Sequence, residues 1–534
     1  MRARPEWLLA VALCAAAPRV VSQAPAAQPP AAQQEPVKDS LLLKDGRMFE
    51  GWRLEHTDKG VTVHLQNGDV QVPADLIKEW YSASGESYQP QNDEEKKKLE
   101  QGLVPVGGKW IARKDYEKEI EKRNAATQKR IAEAKDRREW RNAAKAESAH
   151  FKFEHTLPTD IFNGLRDLLE TYYAVFTKKW GLNPTNKLKP LVCLYSDEHD
   201  FHRISGAPPG VIGYFAFTKV PVELDLYYDR LDPRLTLDVL FHEGNHLLTH
   251  MVNEKFMYPP WINESMAEYF GASRWDPVKK EMSVGHLQAG RLMVVKQAIK
   301  KDEWLKLKDM IEMERFGSLH YAWGWSFVHF LESNEKYKKP FERFYLDMSL
   351  KTGIKRVPTW GVFRTVESKD QIEMLLKALG AKSLDDLQKE WYDYLKGLEV
   401  QDAAGFDEAG RLMRIMGRRK EAKEYLAKAI ELGSANAATY AAYGETLIQD
   451  RNYKLAIEML DQALQRDPLT AKYWFWKGSA LHFQGGDENK AEGLRLIKLA
   501  AELDPEDSEI QFYLDNLGEL DSLATEAADK GKGH

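Results

Sequence analysis

His242-Glu243-Gly244-Asn245-His246 is separated by seventeen residues from Glu264, which lies in Trp261-Ile262-Asn263-Glu264-Ser265-Met266-Ala267-Glu268-Tyr269-Phe270. On a helix, positions i and i+4 share a face, so both imidazoles can reach one metal ion. Glu243, next to the first histidine, then points at the remaining coordination position. A Zn²⁺ ion held by three protein ligands keeps that position for water and lowers the water's pKa to about 7. A neighbouring carboxylate can take the proton as general base. The pattern therefore implies hydrolytic chemistry on a zinc ion held by His242 and His246.

The flanking sequence supports helices in both places. Asp232-Pro233 supplies an N-cap and first helical position. Leu235, Val239, Leu240, Leu247, Leu248 and Met251 carry an apolar stripe through the motif. Pro259-Pro260 cannot continue that helix and starts the one bearing Glu264.

This layout resembles the gluzincin zinc peptidases, whose third ligand is a Glu on the following helix, and the resemblance implies Glu264 as the third zinc ligand beside His242 and His246. Asn263-Glu264 with an acid four residues on is similar to the thermolysin-type Asn-Glu-x-x-x-Asp pattern, with Glu268 standing where that pattern has Asp. The resemblance implies that Glu268 braces a zinc-bound histidine. The Gly-x-Met-Glu-Asn segment by which one aminopeptidase branch holds a free amine is not found. Tyr321-Ala322-Trp323-Gly324-Trp325-Ser326-Phe327-Val328-His329-Phe330-Leu331 extends the likeness to peptidase MA-like (DUF1570-type) domains of bacterial secreted proteins. It spans about residues 149–400 and implies a thermolysin-like α+β catalytic domain acting on proteins or peptides. By the same resemblance an oxyanion donor follows the third ligand, with Tyr321 and His320 as candidates. Tyr321, Trp325 and Val328 also have the spacing of a buried helical face. His250 lies one turn beyond His246 and is expected outside the ligand set, and the sequence does not locate His286.

In gluzincins the last strand before the zinc helix borders the cleft and pairs with extended substrate. Here that expectation falls on Val222–Tyr228, which is equally compatible with an ordinary strand. Val211–Thr218 is expected as its hairpin partner. Upstream, Phe151-Phe153-His155 alternates as a strand, Pro158–Trp180 is helical, and Lys189–Tyr195 is a second strand.

Arg2 and Arg4 followed by the short apolar run Trp7–Ala17 predict a signal peptide over residues 1–23. Secretion or export to the periplasm follows, with no membrane span in the mature chain. Cys14 and Cys193 are the two cysteines, so the mature chain keeps one and forms no internal disulfide. Residues 24–38 form an Ala/Pro/Gln leader. Alternating runs broken by Asp45-Gly46 and Asn67-Gly68 predict a small SH3-like β-barrel over 39–82. Charge dominates 91–148, expected as a helical linker. Net charge is −6 over 534 residues and Lys96-Lys97-Lys98 follows Asp93-Glu94-Glu95, which disfavours nucleic acid as a partner.

Beyond Gln401 a period of 34 sets in. Phe406, Tyr440 and Trp474 recur, as do Gly410, Gly444 and Gly478. The second helices carry Ala422-Leu426-Ala429, Ala456-Leu460-Ala463 and Gly493-Ile497-Ala500. The pattern resembles three tetratricopeptide (TPR) repeats with a capping helix, 403–520, and a disordered tail, 521–534. It implies an α-helical solenoid that docks a protein partner and folds apart from residues 149–400.

The expected architecture is thus multidomain α+β: an SH3-like barrel, a gluzincin catalytic domain and a TPR solenoid. The expected activity is that of a secreted zinc metallopeptidase. The alternatives are a catalytically inactive zinc/TPR scaffold that binds proteins, and a hydrolase for a non-peptide amide or ester. An intact Glu243 weighs against the scaffold, because a structural site needs no base.

Overall fold

The computed structural model describes residues 40–516 apart from 45–46, 51, 58, 82–91, 107–108, 116–117, 119–138, 186–187, 197, 209–210, 230–232 and 505–506. The expected signal peptide, leader and C-terminal tail, the Asp232 cap and residues 119–138 of the charged linker lie outside the described residues.

The central sheet has five strands: β1 (Ala144–Glu147), β2 (Lys152–His155), β3 (Leu191–Tyr195), β4 (Gly213–Ala216) and β5 (Glu223–Tyr227). Their order is β4-β5-β3-β2-β1, with β2, β3 and β5 parallel and the outer strands antiparallel. The parallel interior strands read Leu-Val-Cys-Leu-Tyr and Glu-Leu-Asp-Leu-Tyr, mostly buried, as strands covered on both faces must be.

Two features differ from expectation. Ala144–Glu147 joins this sheet instead of ending a helical linker, and Trp140 just before it stacks on Tyr195 at 4.0 Å. Within the same charged region Leu103–Val106 and Lys109–Ala112 pair as a hairpin. The second difference concerns the sheet edge. Val222–Tyr228 was expected there, but β5 lies inside the sheet and β4 is the edge strand.

Helices then build the domain: α1 (Thr159–Trp180), α2 (Pro233–Val252), α3 (Pro260–Gly271), α4 (Ala289–Lys300) and α5 (Ser318–Ser333). Pro260 opens α3 at its first position, where the missing N–H costs nothing. Leu240, Leu247, Leu248 and Met251 of α2 enter a core shared with Tyr172 and Phe176 of α1 and Trp261 and Phe270 of α3. Gly244 admits this packing, since a Cβ there would stand 2.9 Å from the Tyr172 ring. The Tyr172 hydroxyl donates to the Phe241 carbonyl at 3.0 Å, which holds α1 and α2 in register.

The C-terminal helices pair as α6 (Ala403–Ile415) with α7 (Arg419–Glu431), α8 (Ala437–Gln449) with α9 (Tyr453–Arg466), and α10 (Ala471–Gln484) with α11 (Asp487–Leu503). Helix α12 (Ser508–Asp515) follows. The recurring glycines mark where paired helices touch: Gly410 meets Leu426, Gly444 meets Leu460, and Gly478 meets Gly493 and Ile497. The first pair does not stand apart from the domain before it. Ala409, Met413, Ala422 and Tyr425 belong to the core that holds α2 and α3. Glu408 accepts from the Gly290 amide at 3.0 Å, and Gln297 donates to the Tyr425 hydroxyl at 2.9 Å.

The N-terminal module has two antiparallel three-stranded sheets, one from Ser40–Leu43, Met48–Glu50 and Ile77–Tyr81, the other from Arg53–Thr57, Gly60–Leu65 and Gly68–Pro73. Its core residues Leu41, Leu54, Val63 and Val72 share one cluster with Phe475, Ile497, Leu503 and Ile510 of the last repeats. Arg47 pairs with Asp467 at 3.0 Å, and the Gln66 amide donates to Glu502 at 2.7 Å. Among the described residues no helix is long and apolar enough to cross a membrane.

Candidate metal centre

His242 and His246 stand one turn apart on α2, and Glu264 faces them from the first turns of α3. Their nearest atoms form a compact triangle. His242 Nε2 to His246 Nε2 is 3.3 Å, His242 Nε2 to Glu264 Oε2 is 3.4 Å, and His246 Nε2 to Glu264 Oε2 is 3.6 Å. Zinc bonds of 2.0–2.2 Å in tetrahedral geometry require ligand atoms roughly 3.3–3.6 Å apart. The donor set therefore fits Zn²⁺ in spacing and in chemistry.

The charges around the triangle also suit a cation. Burial disfavours a charged His242, but Glu264, Glu268 and Glu243 outweigh it and raise its pKa well above the ordinary value. Burial likewise pushes the Glu264 carboxyl up, yet His246 and His242 hold it well below the usual carboxylate range. For Glu268, burial is opposed by Arg291 and then by His242, which bring it down to about 2. This pocket stabilises positive charge at its centre.

Glu268 approaches His242 Nδ1 at 3.4 Å, on the ring nitrogen away from the triangle. It is 5% exposed and held by Arg291, whose Nε and Nη2 donate to its two oxygens at 2.8 and 3.0 Å. A carboxylate in this position fixes the imidazole's orientation and tautomer. Arg291, on α4, had no signature in the sequence. Asn263 donates to the other Glu264 oxygen at 3.2 Å.

Glu243 points to the cleft side of α2. Its Oε2 accepts from the Phe215 amide of β4 at 3.2 Å. Burial raises its pKa, with His242 and His246 opposing. The close approach of β4 depends on Gly213, where a Cβ would stand 2.5 Å from Val239 and 3.2 Å from Glu243 Cγ. Glycine in a strand marks such an approach, and this was the one available signal that β4 borders the site.

Tyr321 lines the cleft beside His242, with ring centroids 6.3 Å apart, and Arg291 lies 5.7 Å from its ring. Trp325 and Val328, further along α5, are fully buried, so the helix faces both core and cleft. Burial first, then Glu264, Glu268 and Glu243, push the Tyr321 hydroxyl up, so it keeps its proton. His320 instead turns its Nδ1 to accept the Gly317 amide at 2.9 Å. His250 lines the cleft one turn beyond the triangle against Phe215 and Phe363, and His286 bonds Ser283 at 2.7 Å away from it.

The main cleft encloses about 970 Å³ along β4, α2 and α3, with Phe215, Phe217 and Phe363 on its apolar side. A second grouping of possible ligands, Cys193, Glu223 and Asp225, has Lys219 ion-paired to both carboxylates, which occupies the place a cation would take.

Residues 414–474 match the tetratricopeptide repeat family, so the C-terminal helical region contains TPR repeats. No curated protein matches the chain. Among solved structures it is similar to a MamA RS-1 ArsTM double mutant, at 22% identity over 29% of this chain and 86% of that one, TM-score 0.21. It is also similar to MamA 41-end from Desulfovibrio magneticus RS-1, at 20% identity over 37% and 93%, TM-score 0.21. A third is YrrB, a TPR protein with an unusual peptide-binding site, at 15% identity over 41% and 97%, TM-score 0.22.

Proposed function

We propose that this protein is a secreted or periplasmic zinc metallopeptidase of the gluzincin type whose repeats dock a protein partner. The observation that carries the reading is the triangle of His242, His246 and Glu264 with Glu243 fixed beside it by a backbone amide. The family resemblance of residues 149–400 and the leader read in residues 1–23 add to it. TPR repeats in the C-terminal region support the docking role.

His242, His246 and Glu264 would hold the ion, and Glu268 with Arg291 would keep His242 aligned. Bound zinc supplies a Lewis acid that acidifies water and polarises a carbonyl. Glu243 takes the proton from the attacking water and returns it to the leaving amide nitrogen. One peptide bond and one water thereby give a carboxylate and an amine. The Tyr321 hydroxyl, kept protonated, donates to the oxygen on which negative charge develops. The edge strand β4 borders the cleft, where an extended substrate would lie alongside the sheet.

Glu243→Gln should keep zinc and fold while lowering turnover by about two orders of magnitude or more. Metal analysis together with cleavage of an unbiased peptide library tests this. A full complement of zinc in a wild type that cleaves no peptide would favour the scaffold reading.

A further inference from the structure

Next to the main cleft lies a smaller cavity of about 350 Å³ that shares His242, Glu243, Gly213 and Tyr321 with it. Its floor is formed by Leu235 and Val239, which lie two turns and one turn before His242 on α2. Val211, just before β4, closes one side. The opposite wall is Leu412 and Ile415, which belong to the first TPR helix, α6. Leu412 is half-buried and Ile415 is 61% exposed at the mouth.

The charged groups at the rim are engaged within the protein. Arg234 bonds Asp238 at 2.8 Å, Arg291 holds Glu268, Arg411 bonds Asp407 at 3.2 Å, and Glu408 accepts from Gly290. What the cavity offers a ligand is therefore its aliphatic floor and wall, together with the Gln288 side-chain oxygen, which accepts no hydrogen bond among the described residues. Leu235 and Val239 are part of the stripe that the helical period assigned to the core, yet both are half-buried and face this space. Such residues beside a reactive centre gain from burial when a ligand covers them.

We propose that Leu412 and Ile415 of the first repeat complete a subsite for an apolar side chain of the peptide, next to the bond being cut. The inference rests on the peptidase reading for its substrate class. It assigns the repeats a second duty: α6 selects the residue at the metal, while the rest of the solenoid remains available for docking. A cavity of this size takes a leucine or phenylalanine side chain, and aliphatic pockets discriminate by roughly 10- to 200-fold per methylene.

The test uses the full chain and a hexapeptide library varied at each position among Gly, Asp, Leu and Phe. Wild type should favour Leu or Phe over Gly about ten-fold or more at one position flanking the cut. Ile415→Asp and Leu412→Ala should reduce that preference to a few-fold while zinc content and cleavage of the Gly peptides persist. Binding is read separately in Glu243→Gln carrying Cys14→Ser and Ile415→Cys. The remaining Cys193 is buried, so alkylation reports the introduced thiol. Leu and Phe peptides should slow alkylation and Gly peptides should not. Unchanged preference in both cleft variants, or equal alkylation with all peptides, overturns the subsite. Protection without any cleavage by the wild type keeps the subsite and overturns the peptidase reading.

Discussion

Arg291 shows how much of the candidate metal centre depends on a side chain outside the His242–His246–Glu264 triangle. It neutralises a buried carboxylate that in turn orients His242. His246→Ala and Glu264→Ala should lose most of the zinc, because each removes a ligand. Arg291→Ala should keep all three ligands yet weaken zinc roughly ten- to a hundred-fold, the usual effect of losing an outer partner. Competition titration with a chelator measures both, and an unaltered affinity in Arg291→Ala would remove Glu268 from the centre. The grouping of His242 with His246 was legible because a helix turns an i, i+4 spacing into a shared face, and Glu264 beside them followed from the family resemblance. Glu268 followed from its offset to Glu264. Arg291 was invisible, since no spacing rule links α4 to α3 across the core.

At the scale of elements, the decisive contact is that of β4 on α2. Gly213→Ala would place a methyl group against Val239, a stiff β-branched side chain that cannot yield cheaply. The expected cost is about 1–3 kcal/mol in stability, typical of overpacking. The larger effect should be on turnover, roughly a hundred-fold, because Glu243 loses the amide that aims it. Thermal melts and peptide cleavage, taken with zinc content, separate the two effects. The hairpin containing β4 was legible from its alternation. Which of its strands forms the edge was not, because that depends on β5 pairing in parallel with β3, more than twenty-five residues upstream. Likewise the short strand Ala144–Glu147 was hidden by the charges around it, which suit an exposed edge as well as a helix.

For the whole molecule, the 34-residue period announced the solenoid but was silent about its joints. Small residues at Gly410, Gly444 and Gly478 describe contacts inside the stack. Ala409 and Met413 look like any repeat positions, yet they complete another domain's core. A chain ended at Val400 should therefore lose stability and zinc together, because removing Met413 and Tyr425 alone forfeits about 1.5–3 kcal/mol each. A chain ended at Gly433 keeps α6 and α7 and should retain both. Melting temperature and metal content of the two truncations check this, and equal behaviour would show that the first repeat contributes nothing to the domain it touches.

The pairing of Arg47 with Asp467, 420 positions apart, fastens the N-terminal sheets to the last repeats without a covalent bond. Leu41, Leu54 and Val63 find their partners only when the last repeats have been made. During synthesis the sheets of residues 40–81 emerge before the helices of residues 471–515 that cover their apolar face. A cut within the helix Asp93–Glu100 would leave two fragments still held together by this contact. Their separation would be seen only after the C-terminal helices are unfolded.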